Sequence, residues 1–309
     1  MKKLLLLMNP CAGQKKGRKH LAEIIAIFNR AGYDLQCYMS AAPGELESVV
    51  HRCAAESDLL VCCGGDGTVN ECVSGLIKSG RNVPLGYIPA GSTNDFASTL
   101  HLSPDLLQAC RDIVEGEQIC LDVGRFGERY FTYVASFGLF SKTSYATSQE
   151  LKNIFGRLAY FLSGIQELSQ LRSYPVRIRF SDGSLMEDKF IFGAVCNSTS
   201  VGGILNFSAD TVDLCDGKFE LLLARAPKDP AELRDCVLAL RKQSFDSPML
   251  YFKQVDSLEI QGPEDFPWSL DGEKAIPPKL IQISCLPSAL QFYIPRAALQ
   301  ERGISVYSG

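Results

Sequence analysis

No stretch of this sequence approaches the ~18 to 20 uninterrupted apolar residues that a membrane-spanning helix needs, so none is expected. Positive charge is also short: the formal net charge is −4. Without a global attraction to nucleic acid or an anionic bilayer, any such contact must come from a local patch, and nucleic-acid binding is disfavoured. The twelve cysteines contain no Cys-x-x-Cys pair, which removes the usual zinc-site signature. Several of them, such as Cys62, Cys63, Cys196 and Cys285, sit in apolar runs and read as reduced core thiols of a cytosolic protein. Internal repeats and low-complexity tracts are missing. The opening Met1-Lys2-Lys3-Leu4-Leu5-Leu6-Leu7-Met8 imitates a signal peptide. Its apolar run stops at Asn9-Pro10, too short and without a small-residue cleavage site, so it reads as a buried strand.

What remains is a globular chain of 309 residues, long enough for two cores. Strands are expected over 3–8, 35–39, 59–63 and 85–88, alternating with helices over 16–31, 44–55 and 68–78. Such β-α alternation with short apolar strands implies a parallel, doubly wound sheet whose ligand sits beyond the C-terminal strand ends. After Asp122 the pattern turns to period-two segments over 129–136, 176–180, 189–197, 219–224, 257–261 and 280–285, with helices near 151–171 and 230–240. The boundaries that follow are an α/β domain over 1–124 and a mainly antiparallel β domain over 125–294, with 295–309 packing back on the first. The edge strands of the second make a homodimer plausible.

The most telling run is Val61-Cys62-Cys63-Gly64-Gly65-Asp66-Gly67-Thr68-Val69-Asn70-Glu71. An apolar strand ends there in a glycine turn, where φ > 0 and bare backbone let N–H groups converge on a phosphate, and Thr68 opens a helix whose positive end favours the same charge. Asp66 beside a phosphate calls for a divalent cation or a proton between them, and reads as a metal-side group or proton acceptor. The loop Pro89-Ala90-Gly91-Ser92-Thr93-Asn94-Asp95 offers uncharged hydrogen-bonding groups suited to a ribose, phosphate or adenine edge; alone it is equally a helix cap. Asp213-Leu214-Cys215-Asp216-Gly217-Lys218 reads by spacing as a hairpin turn before a Mg²⁺ or Ca²⁺ site. In Leu270-Asp271-Gly272-Glu273, two nearby carboxylates suit a general base with a metal-facing partner, or simply a polar hairpin. The apolar helix over 151–171 covers a sheet or lines an acyl groove with Lys152 and Arg157 at headgroups. Lys15, Lys16, Arg18 and Lys19 form a solvated face or neutralise phosphate.

With these residues assembled, the chain resembles the diacylglycerol kinase catalytic-domain family, especially the soluble bacterial lipid kinases. The resemblance spans nearly the whole length and rests on Asn9-Pro10 with Gly13, Gly64 to Thr68 with Asn70-Glu71, Pro89 to Ala97, Asp122, Gly156 with Tyr160, Asp213 with Asp216-Gly217, and Leu270 to Glu273. It implies an α/β nucleotide domain, a β-sandwich lipid domain, and an active site in the cleft between them. ATP phosphates would lie on Gly64, Gly65, Asp66, Gly67 and Thr68, with Asn9, Pro10, Gly13, Ser40, Asn70, Glu71, Gly91, Ser92, Thr93 and Asn94 around the nucleotide. Asp66, Asp122 and Glu273 would organise Mg²⁺, and Asp271 would be the general base. Asp213, Asp216 and the Lys218 carbonyl would form a structural metal site, reversing the reading from spacing. Two departures stand out: Ser92 where the family often has threonine, and Ser98 where it often has arginine.

The function implied is phosphorylation of a hydroxyl lipid, most simply diacylglycerol to phosphatidic acid, by a cytoplasmic protein in transient contact with the inner membrane face. Alternatives are an NAD-kinase-like enzyme acting on a soluble metabolite, and a non-catalytic lipid binder. The loop from Pro89 to Ala97 with Asp271-Gly272-Glu273 argues against the first. The complete set of acids argues against the second.

Overall fold

The structure, a computed structural model, describes residues 1–139, 171–198, 200, 201, 205, 206, 212–242 and 244–302. The apolar helix expected over 151–171, with Lys152, Gly156, Arg157 and Tyr160, lies outside the described residues but for Leu171. Two compact units form: Met1–Asp122 with Ser288–Gly309, and Val123–Pro287. Residues 288–294, assigned above to the β domain, therefore group with the first unit.

In the first unit, strands β1 (Lys2–Met8), β2 (Tyr33–Met39), β3 (Leu59–Gly64) and β4 (Leu85–Pro89) lie parallel in the order β2-β1-β3-β4. Every residue of β3 and β4 is buried, which is why these strands read as unbroken apolar runs rather than alternating ones. The helices are α1 (Lys16–Lys19), α2 (Leu21–Arg30), α3 (Glu45–Cys53), α4 (Asp66–Ser79), α5 (Asp95–Thr99) and α6 (Leu106–Glu115). Ile24 and Phe28 of α2 join Ala109, Cys110 and Ile113 of α6 in one core with Leu4, Leu6 and Val61. Gly75 lets α4 approach α3, since a Cβ there would lie 2.4 Å from the Glu47 carbonyl oxygen.

Strand β5 (Glu117–Phe126) leads into the second unit, which contains β6 (Arg129–Phe131), β7 (Val134–Gly138), β8 (Tyr174–Phe180), β9 (Leu185–Cys196), β10 (Ser200–Val201), β11 (Leu205–Asn206) and β12 (Phe219–Arg225). Helix α7 (Pro230–Lys242) follows, then β13 (Leu250–Val255), β14 (Ser257–Gln261), β15 (Trp268–Leu270), β16 (Glu273–Ala275) and β17 (Ile281–Ile294); α8 (Arg296–Arg302) lies in the portion that groups with the first unit. The pairings within the second unit are antiparallel, and β9 carries β8 on its first half and both β7 and β12 on its second. Phe131, Phe137, Phe190, Phe219 and Trp268 fill the core between them. Three expectations change. The strand expected over 129–136 is two strands interrupted at Thr132-Tyr133, β13 was not foreseen, and β17 runs through Pro287 to Ile294, where Phe292 pairs in parallel with Leu85 of the first unit.

All twelve cysteines are free thiols, and burial pushes Cys63, Cys110 and Cys236 up to about 12, so these three stay protonated and inert. Among the described residues three acids are buried too, Asp122, Glu220 and Asp271, and Glu220 is the most enclosed. Glu220 on β12 has no exposed surface; its Oε1 accepts from the Gln254 amide at 3.4 Å, while Oε2 has no hydrogen-bond partner among the described residues. Burial raises its carboxyl to about 8 against the pull of that Gln254 bond, with the charges of Asp216 and Asp213 raising it further.

Candidate active site

Three loops meet at the C-terminal ends of the parallel strands of the first unit. Helix α4 begins at Asp66, two residues before the expected Thr68, because Gly65 in extended conformation (φ −101°) serves as its N-cap. None of Gly64, Gly65 and Gly67 has positive φ, which corrects the expectation above. Space is what requires glycine here. A Cβ on Gly64 would lie 2.2 Å from Thr68 Oγ1, and a Cβ on Gly91 would lie 2.5 Å from the Gly65 Cα. The positive φ values fall instead at Gly13 (+37°) and Asn94 (+53°). Gly13 closes the third side, since a Cβ on it would stand 2.0 Å from the Ala90 carbonyl oxygen.

Hydrogen bonds stitch these loops together. The Asp66 carboxylate accepts the backbone N–H groups of Asp95 and Phe96, each at 3.1 Å, and so caps α5 from the start of α4. Tyr87, unforeseen from sequence, places its hydroxyl 3.2 Å from the Gly64 carbonyl and 3.1 Å from Asn94 Oδ1. Burial first, and then the charge of Asp66, raise the Tyr87 phenol well above its ordinary value, so it remains a neutral donor. Asn94 Oδ1 also accepts the Gly91 N–H at 2.9 Å. Asn9 and Ser40 extend from β1 and β2 and are tied back by bonds to Cys63 and Met8 carbonyls of 3.0 and 2.9 Å. Pro10 and Asn70 are half-buried, Ser92 and Thr93 are exposed, and Glu71 is committed to the start of α3 through the Gly44 and Leu46 N–H groups at 2.8 and 3.1 Å. Asp122, buried, accepts the Ser288 N–H at 2.7 Å.

In the second unit, Asp271 is buried at φ +47° in the turn between β15 and β16, and its two oxygens accept from Thr132, Tyr133 and Val134. Thr132 was also missed, because its link to Asp271 spans 139 positions. Glu273, two residues on, is exposed. Asp213 and Asp216 are exposed, and each gives one oxygen to its own turn, accepting the Cys215 N–H at 3.0 Å and the Lys218 N–H at 2.9 Å. Among the described residues no three His, Cys, Asp or Glu side chains gather into a metal cage. Two carboxylates and a carbonyl with water could still hold a hard cation, and the upward push of their charges on Glu220 marks excess negative charge at that turn.

The diacylglycerol kinase of Bacillus subtilis (strain 168) is 31% identical over 275 residues, covering 88% of this chain and 90% of the relative. The chain belongs to the diacylglycerol kinase family. The family's catalytic domain matches residues 3–126 of this kinase, which hold the three glycine loops and Asp122, while Asp213, Asp216, Asp271 and Glu273 lie beyond the match. The Staphylococcus carnosus (strain TM300) diacylglycerol kinase is likewise 31% identical, over 274 residues, 88% of this kinase and 89% of the relative. A crystal structure from Bacillus anthracis str. Sterne superposes with a TM-score of 0.78 at 26% identity, covering 96% of this kinase and 98% of that chain. The kinase is thus an enzyme with a mixed sheet, parallel among its N-terminal strands and antiparallel among the later ones. Among the described residues none of its helices is long and apolar enough to cross a membrane.

For a kinase, the assembled loops offer two things phosphate binding asks, the start of a 14-residue helix and backbone brought close by glycine, with the one acid of that first turn, Asp66, turned to the Asp95 and Phe96 N–H groups. Exposed Lys15, Lys16, Arg18 and Lys19 stand on and before α1, just after the Gly13 loop. Ser98 is bonded to the Asn94 carbonyl at 3.2 Å and brings no charge.

Proposed function

We propose that this kinase transfers the γ-phosphate of ATP to the hydroxyl of a membrane lipid, with diacylglycerol as the acceptor and phosphatidic acid as the product. The observation that carries the reading is the closure of the Gly13, Gly64-Gly65 and Gly91 loops around the start of α4. The backbone from Gly64 to Thr68 receives the phosphates. Asn9, Pro10, Gly13, Ser40, Gly91, Ser92, Thr93 and Asn94 frame the nucleotide, and Asn70 and Glu71 hold α4 and α3 in place behind it. Lys15 and Lys16 supply the positive charge that Ser98 does not. Mg²⁺ bound by Asp66 and Asp122 would neutralise phosphate charge as the bond to the leaving ADP breaks. Glu273 adds a solvent-facing carboxylate for water around such a cation. Asp271 is the general base: a lipid hydroxyl is too weak an acid to attack phosphorus without giving up its proton. Contact with the inner membrane face is transient and peripheral, and the enzyme works in the cytoplasm.

The test is ³²P transfer from γ-labelled ATP with Mg²⁺ to diacylglycerol, sphingosine and undecaprenol in mixed micelles, beside NAD. Labelled phosphatidic acid is expected. Labelled NADP would replace the reading with a soluble-metabolite kinase, and no product despite intact ATP binding would leave a lipid binder.

Gly91→Ala is expected to weaken ATP binding at least ~10-fold, about 1.4 kcal/mol, because its Cβ drives the loop off Gly65. Glu128→Ala, at a side chain 95% exposed and placed in no site, is the control. Calorimetric titration of ATP separates them, and equal affinity for both variants contradicts the close-packed loops.

At the acidic turn, the wild-type melting temperature is expected to rise with Mg²⁺ by the ordinary linkage of ligand to fold, and to rise less in Asp213→Ala, where only the cation at Asp66 and Asp122 remains. An Mg²⁺ response undiminished in Asp213→Ala removes Asp213 from the metal site.

A further inference from the structure

The interactions of Asp271 include two hydrogen bonds on each carboxylate oxygen. Oδ2 takes the Thr132 N–H at 2.6 Å and the Thr132 hydroxyl at 2.9 Å, while Oδ1 takes the Tyr133 and Val134 N–H groups at 3.0 and 3.1 Å. Four is roughly the full acceptor capacity of a carboxylate. A general base needs either a lone pair facing the proton it takes or a neighbour that passes the proton on. Three of these donors are main-chain amides, which hold their protons and cannot hand on another. The fourth is a hydroxyl, able to donate one proton and accept a second on the same oxygen.

The amides are also fixed in place. Asp271 N–H returns a bond to the Val134 carbonyl at 2.9 Å, and Leu270 pairs with Ala135 in the β15-β7 ladder. A substrate cannot displace the Val134 amide without disturbing that ladder. Access to Asp271 through these four donors therefore leads through Thr132 Oγ1. Thr132 and Asp271 are 2% and 3% exposed, so bulk water does not compete for the same oxygen.

We propose that Thr132 is a catalytic residue that relays the acceptor's proton to Asp271. The inference rests on the reading of Asp271 as the general base. As the lipid oxygen attacks the γ-phosphorus, its O–H bond breaks and its proton moves to Thr132 Oγ1. The proton already on Oγ1 passes to Asp271 Oδ2 in the same step, so no free alkoxide forms on threonine. The bond from the γ-phosphorus to the bridging oxygen breaks, its electron pair leaving with ADP. Asp271 ends neutral and loses its proton to solvent after the products depart.

The experiment compares Thr132→Val, which keeps the shape without the hydroxyl, with Thr132→Ser, which keeps the hydroxyl, and with Asp271→Asn, under single-turnover conditions with saturating ATP. Thr132→Val is expected to lose ~10²-fold or more in the transfer rate with ATP affinity unchanged, and Thr132→Ser to return to within about tenfold of wild type. Transfer by Thr132→Val within about threefold of wild type, with Asp271→Asn inactive, overturns the relay and leaves the base reading standing. An active Asp271→Asn overturns the base reading and the relay with it. If Thr132→Val does not fold, the unmodified enzyme provides the measurement: its single-turnover rate in mixtures of H₂O and D₂O is expected to curve, as two protons in flight require, and a straight line overturns the proposal.

Discussion

Asp271→Ala is expected to abolish lipid phosphorylation and also to lower the melting temperature. The second effect is what distinguishes this carboxylate from one that serves chemistry alone. Removing it strands three buried main-chain N–H groups and a hydroxyl that now bond to it. Uncompensated losses of this kind cost about 3–5 kcal/mol for a buried charged partner. For a unit of this size each kcal/mol corresponds to roughly 2–4 °C, so a fall on the order of 10 °C is expected by differential scanning fluorimetry. ATP binding should stay close to wild type by calorimetry, since Asp271 belongs to the second unit and the glycine loops to the first. Wild-type turnover in this variant removes Asp271 as the base. An unchanged melting temperature shows that the 132–134 segment holds its conformation without the carboxylate.

Glu220→Gln is expected to be more stable than wild type at pH 8 and nearly equal to it at pH 4.5. The folded pKa of Glu220, raised to about 8, exceeds the ordinary value of 4.5, so folding takes up a proton between those limits. Its contribution is fully present below about 4.5 and is lost as pH rises through about 8. Stability changes by about 1.4 kcal/mol for every pH unit over which the folded protein holds one proton more than the unfolded chain, so the two proteins should separate by several kcal/mol across the window. Glutamine keeps the size of the side chain and cannot ionise. Urea unfolding at pH 4.5, 6.5 and 8 in the presence of a chelator measures the separation, and parallel stability curves for the two proteins would falsify this account of Glu220.

The parallel half of the fold was legible because its strands are buried on both faces and announce themselves as apolar runs. The glycine turn was legible as a strand-to-helix turn, though its glycines are there for a different reason from the one expected. Its glycines make room for Thr68 and for the facing loop, a requirement set by residues more than twenty positions away in the case of Gly65 and Gly91, and invisible to local conformational preference. Tyr87 looked like one more apolar strand residue until its hydroxyl was seen to bridge two loops. The interruption at Thr132-Tyr133 has no local breaker; its cause is a carboxylate supplied from position 271. The strand expected over 280–285 continues through Pro287 to Ile294, where Phe292 pairs with Leu85. In each case the missing information was a contact between distant parts of the chain.

The hydrogen bond from Ser288 to Asp122 joins positions 166 apart, and so fastens the last-made part of the first unit to a residue made before the second unit existed. During synthesis the first unit has its β1-β4 sheet early but lacks Phe292 beside Leu85 until nearly the whole chain has emerged. Closing so long a loop is entropically slow if the intervening chain is loose, and much easier if the second unit has already collapsed and drawn its two ends together. The connectivity thereby makes completion of the first unit wait for its own tail, which follows the whole of the inserted unit.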